Sequence, residues 1–183
     1  SMGGLVARAC AKRIPGLIGG VVHGMMPALG APLAYRRLAC GTECDSPAND
    51  MIDNYRAGKF ADISGRTPEA TTPVMAASAG ALELLPNQSY PRPWLHVGVK
   101  RRSGTKEART DYLHLPSEAK PNPYDLYRDL KSWYRMINPT LADPARLYEL
   151  RPGGFRKVIS TALDSAEEFH RSLDDYYHPM TFA

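Results

Sequence analysis

Apolar positions along the chain change their period several times, and each change marks an element. Leu126, Leu130, Trp133 and Ile137 fall at i, i+4, i+7 and i+11, with Tyr127 and Tyr134 alongside and Asp125, Arg128, Asp129, Lys131 and Arg135 opposite. That spacing predicts a core-facing amphipathic helix with Trp133 buried in its stripe. A second helix is predicted from Ser165, whose capping box closes at Glu168 and which carries Phe169, Leu173 and Tyr176 inward. Three more rest on a polar residue followed by proline, which supplies an N-cap and a pre-set first helical φ. Ser46-Pro47 opens one through Met51 and Tyr55 to Gly58, Thr72-Pro73 one through Leu82 to Leu85, and Asp143-Pro144 a short one through Leu150. A sixth covers residues 5 to 13.

Period-two alternation is clearest in residues 94 to 100 and 110 to 115, which predict an antiparallel hairpin. Residues 33 to 39 and 155 to 161 also read as strands, the second equally compatible with helix. The expected fold is therefore α+β, a helix-rich single domain of about five or six helices with a small antiparallel sheet that includes the 94–115 hairpin. If Leu95, Val97 and Val99 share a core-facing side with Leu113 and Leu115, the other side carries Trp94, His96, Gly98 and Lys100 beside Thr110, Tyr112 and His114. A loop centred on Thr105 sets His96 directly opposite His114, about 4.5 to 5.5 Å apart between Cβ atoms.

Composition adds bounds to this picture. With 183 residues, 43% of them hydrophobic, the chain can bury roughly 70% of its unfolded surface without a metal or disulfide staple, so no cofactor is expected. Ser1 and Met2 read as a tag-cleavage remnant, and the domain is taken as residues 3 to 183. The three cysteines, Cys10, Cys40 and Cys44, are too few for a disulfide scaffold and favour a reducing compartment such as the cytoplasm. They read as packed thiols; Cys40 and Cys44 are spaced to share one ion, but no second ligand pair stands at zinc-finger spacing, and no metal is expected.

The 22 residues from 14 to 35 carry no formal charge. Pro15, Pro27, Pro32 and five glycines oppose a spanning helix, so this run reads as a buried Gly/Pro-rich segment packed on the domain, with membrane contact the lesser reading. The net charge of +4 is concentrated in residues 100 to 109, where Lys100, Arg101, Arg102, Lys106 and Arg109 stand against Glu107 alone. Such a cluster attracts phosphate or another anionic surface.

Chemistry converges on the hairpin. Two imidazoles at cross-strand distance, with Tyr112 beside them, suit a general acid and base working near neutral pH, and Lys100, Arg101, Arg102, Lys106 and Arg109 would hold the phosphate. The chain contains no P-loop, dinucleotide-binding glycine run, His-Glu-x-x-His or Gly-x-Ser-x-Gly. The first functional expectation is a small effector- or toxin-like enzyme acting on a phosphate-containing substrate such as RNA, with His96, His114 and Tyr112 catalytic. The alternative is a non-catalytic module that binds nucleic acid or a protein partner. A third is a cysteine hydrolase using Cys10: the run Ala9-Cys10-Ala11-Lys12-Arg13 bears a passing similarity to the nucleophile segment of bacterial cell-wall amidase effectors, a resemblance that implies an activated thiol.

Overall fold

In a computed structural model, residues 2–42, 50–103 and 106–182 are described. Among them are seven helices and an antiparallel hairpin, an α+β arrangement. The helices are α1 (Met2–Arg13), α2 (Pro32–Cys40), α3 (Met51–Ser64), α4 (Pro68–Met75), α5 (Ala79–Leu82), α6 (Pro123–Tyr127) and α7 (Gly154–Leu173). Strands β2 (Leu95–Ser103) and β3 (Lys106–Leu115) form the hairpin, while β1 (Val21–Val22) and β4 (Thr181–Phe182) make a short parallel pair.

The organising element is α7. Ile159, Ala162, Leu163, Ala166, Glu167, His170 and Leu173 are buried along one face at helical spacing. Residues 155 to 161 therefore belong to this helix and not to a strand, and Ser165 lies inside it instead of capping it. The true start is Gly153, whose φ of +80° supplies the left-handed turn ahead of the helix. The strand expected at residues 33 to 39 is likewise helical: Pro32 sits at the first helical position, and Ala34, Tyr35 and Leu38 form the buried stripe of α2.

The polar-proline device operates, though not always where expected. Thr67-Pro68 opens α4, so Pro73 lies inside that helix, and the chain breaks before α5. Helix α3 is capped by the Asp50 carboxylate, which accepts from the Asp53 N–H at 2.8 Å, and runs past Gly58 to Gly65, where φ is +95°. Ser46 and Pro47 lie outside the described residues. At Asp143 the cap forms without a helix: its carboxylate accepts from the Leu147 and Tyr148 N–H groups at 2.8 and 3.0 Å, fixing a turn.

The helix expected through Trp133 is absent. After α6 the chain passes through turns, and the Asp129 carboxylate accepts from the N–H groups of Lys131 and Ser132 at 2.8 and 3.0 Å. This local bonding competes with helix continuation. Leu126 and Ile137 still reach the core and Leu130 packs against it, but Trp133 is 60% exposed. The core unites Tyr35 and Leu38 of α2, Leu82 and Leu85 around α5, Tyr124 and Tyr127 of α6, Met136 and Ile137, and Leu163 of α7. Two buried phenols place their polar ends on backbone: Tyr127 Oη donates to the Pro86 carbonyl and Tyr35 Oη to the Tyr134 carbonyl, each at 2.6 Å.

Of the uncharged run, only Ala34 and Tyr35 are buried. No residue from 14 to 33 is fully covered, and Met25 is 99% exposed. No helix among the described residues is long and apolar enough to cross a membrane.

Candidate functional site

The hairpin register follows from its alternation. His96 pairs directly with His114, Leu95 with Leu115 and Val97 with Leu113. Leu95, Val97 and Leu115 are half-buried, whereas His96, Tyr112 and His114 are exposed on the opposite face. Two details depart from expectation. Leu113 remains 43% exposed, and Trp94 precedes β2 and turns into the core, its ring edge-on to Tyr35 with centroids 5.5 Å apart. The strands also extend beyond residues 100 and 110, with a register shift between Arg101 and Ser103. The side chains of Lys100, Arg101, Arg102, Lys106 and Arg109, proposed from sequence to hold phosphate, lie outside what is described, as do Gly104 and Thr105.

The histidine rings meet edge to face, centroids 4.8 Å apart, and their Nδ1 atoms are 2.6 Å apart. A contact that short is a hydrogen bond, so one Nδ1 carries the proton and the other accepts it. In the neutral pair the donor ring then presents a bare Nε2, a base, and the acceptor ring an Nε2–H, a donor. One base and one donor therefore arise from two identical side chains. Tyr112 lies beside this pair, its ring 6.5 Å from that of His114 and inclined by 30°.

The two histidines line different grooves. His114 lines an open groove of about 870 Å³ whose walls are rich in proline, with Tyr90, Arg92 and Glu118 supplying polar groups. His96 lines a smaller one of about 350 Å³ with Tyr35, Cys40, Trp133 and Arg135. Cys10 and Cys40 are exposed free thiols, not packed ones, and Cys44 lies outside the described residues. No three His, Cys, Asp or Glu side chains converge as metal ligands among the described residues.

The chain is similar to part of a solved protein. Over its whole length it aligns, at 31% identity and a TM-score of 0.70, with 34% of a chain in the crystal structure of the Tle4–Tli4 complex. It thus spans about a third of the chain it matches. No protein-family model and no curated protein matches it.

A second polar cluster is not evident from the sequence alone. The His170 Nε2–H donates to the Glu83 carbonyl at 2.8 Å, and Nδ1 accepts from Tyr124 Oη at 2.7 Å. Burial lowers the pKa of this imidazole and keeps it neutral, only partly opposed by its bond to the Glu83 carbonyl. One turn earlier, the buried Glu167 carboxylate accepts from Arg128 and Arg171, each at 2.6 Å. The signal for this cluster was the 159, 163, 166, 170 spacing, visible only once α7 is recognised as one helix. Every polar atom of His170 is satisfied within the protein, which marks it as a structural group.

Proposed function

We propose that this chain is part of an effector-like protein that works in association with a protein partner. The observation that carries this reading is the whole-length likeness, at 31% identity, to a chain seen in the Tle4–Tli4 complex. The surface best suited to a partner is the outer face of the hairpin, where Tyr112 is 59% exposed beside His96 and His114. An exposed amphipathic tyrosine is a residue from which interface centres are built. The test is to isolate the natural polypeptide from its own cells and size it by light scattering. A stoichiometric heteromeric complex with hydrogen-exchange protection at residues 111 to 114, lost in Tyr112→Ala, supports the reading; a monomer whose hairpin amides exchange freely overturns it.

A second reading rests on the 2.6 Å contact between the histidines. In it, the bare Nε2 accepts a proton from the attacking group, the partner's Nε2–H donates one to the leaving oxygen of a phosphate-containing substrate such as RNA, and the strand-end cations hold the phosphate. His96→Ala and His114→Ala should each abolish turnover of a phosphodiester while the melting temperature stays within a few degrees. Turnover retained in both variants removes the reading.

A further inference from the structure

The parallel pair β1–β4 is too small to exist for its own sake. Each strand has two residues, against a usual five or six, and the sheet holds no further strand among the described residues. Parallel sheets occur almost only where both faces are covered, because their strands are joined through helices that pack on those faces. The local topology has this form: α1 leads into β1 and α7 into β4, each after seven residues. A helix feeding a parallel strand is the second half of a strand-helix-strand unit. The first halves are missing from the described sheet.

Backbone alternation says where those strands would pair. Val21 N–H donates to the Met180 carbonyl and His23 N–H to the Phe182 carbonyl, both at 2.9 Å, so the N–H and C=O of Val22 point away from β4. By the same alternation those of Thr181 point away from β1. Among the described residues the pair thus has one unpaired edge on each side. Its two faces differ as well. Val21 and Thr181 are half-buried, whereas Val22 and Phe182 are 81% and 60% exposed on the opposite face. The pair is held firmly in place, since His178 donates to the Pro15 carbonyl at 3.3 Å and accepts from the Met180 N–H at 3.1 Å. A parallel pair with an exposed apolar face and both edges open among the described residues is a docking site for extended chain.

We infer that β1 and β4 are inner strands of a larger parallel sheet, completed on both edges by apolar strands of a longer polypeptide that also contains these residues. The occupant is the same polypeptide because the matched chain has the corresponding room: this sequence covers 34% of it, leaving about two thirds of that chain to supply the sheet. The added strands would be rich in β-branched residues on both faces, as inner parallel strands are.

The test uses the natural full-length polypeptide. Its Val22 and Thr181 amides should exchange at least about 100-fold slower than in unstructured chain, independently of protein concentration. Val22→Asp should behave as a buried substitution and lower the urea midpoint, while Leu150→Asp, at a side chain that is 99% exposed, should not. Exchange of Val22 and Thr181 at the unstructured rate overturns the proposal. Protection that appears only at high concentration, or only when a second protein is added, also overturns it, because the occupant is then another molecule. The exchange measurement on the unmutated protein decides the matter even if Val22→Asp fails to fold.

Discussion

Two histidine sites in this protein have opposite character. His170 is buried on α7 with both ring nitrogens bonded, one to a phenol and one to a backbone carbonyl. His96 and His114 are exposed on the hairpin and bonded to each other. The same side chain is a structural strut where the protein meets all its bonding needs, and keeps one ring nitrogen free to bond elsewhere where the two exposed rings bond only each other. The number of satisfied nitrogens separates the two sites.

The largest effect should come from breaking the buried site. His170→Ala removes a packed ring and orphans Tyr124 Oη and the Glu83 carbonyl, costing about 3 to 5 kcal/mol in urea unfolding. Its pH dependence has a definite sign. Burial holds the folded pKa below the ordinary value near 6.5, so the unfolded chain takes the proton first. The contribution is fully present above about pH 6.5, is lost as pH falls through the depressed folded value, and then levels off. His170→Gln should flatten this segment of the stability profile; an unchanged slope would show that the ring is not buried in solution.

Glu167→Ala should cost less, about 1 to 3 kcal/mol, measured by the same unfolding curve. The carboxylate is buried, but Arg171 is largely exposed and can be rehydrated when its partner is removed. A cost as large as that of His170→Ala would mean that the ion cluster, not the imidazole, holds α6 against α7.

Trp133→Ala is the next step down, under about 1 kcal/mol by denaturant midpoint. The helical spacing of Leu126, Leu130, Trp133 and Ile137 points to a buried tryptophan, for which the cost would be about 3 to 5 kcal/mol. The reason for the difference also explains how much of the molecule could be read in advance. Strand parity is a local property: Leu95, Val97 and Leu115 suffice to orient His96 and His114, and the hairpin was legible. The helical stripe at residues 126 to 137 was misleading because Asp129 bonds the backbone at Lys131 and Ser132, a competition that periodicity does not weigh. At α7 the error ran the other way: Val158 and Ile159 have the branching that favours strands, and the buried face that makes them helical is defined by α5 and α6, far away in sequence. The α+β class, α1 and the Asp143 cap were accessible locally; the buried His170 cluster and the parallel pair depend on contacts that only the folded chain brings together.

The smallest effect, and the one that tests the exposed site most directly, is the coupling between His96 and His114. Both rings are exposed, so removing either should change stability by no more than about 0.5 to 1 kcal/mol. A hydrogen bond at 2.6 Å nevertheless requires the two rings to know of each other. A double-mutant cycle on His96→Ala, His114→Ala and the double variant should give a coupling of about 0.2 to 1 kcal/mol, the range of cross-strand pairs. Nitrogen NMR offers an independent reading: in the neutral pair one ring must carry its proton on Nδ1 and the other on Nε2, so the two imidazoles should show unlike tautomer patterns. Zero coupling together with identical tautomer mixtures would mean that the rings are separate in solution, which removes the acid-base pair without touching the hairpin. A coupling above about 2 kcal/mol would place the pair in the same class as His170, a bond the fold depends on and not one kept free for a substrate.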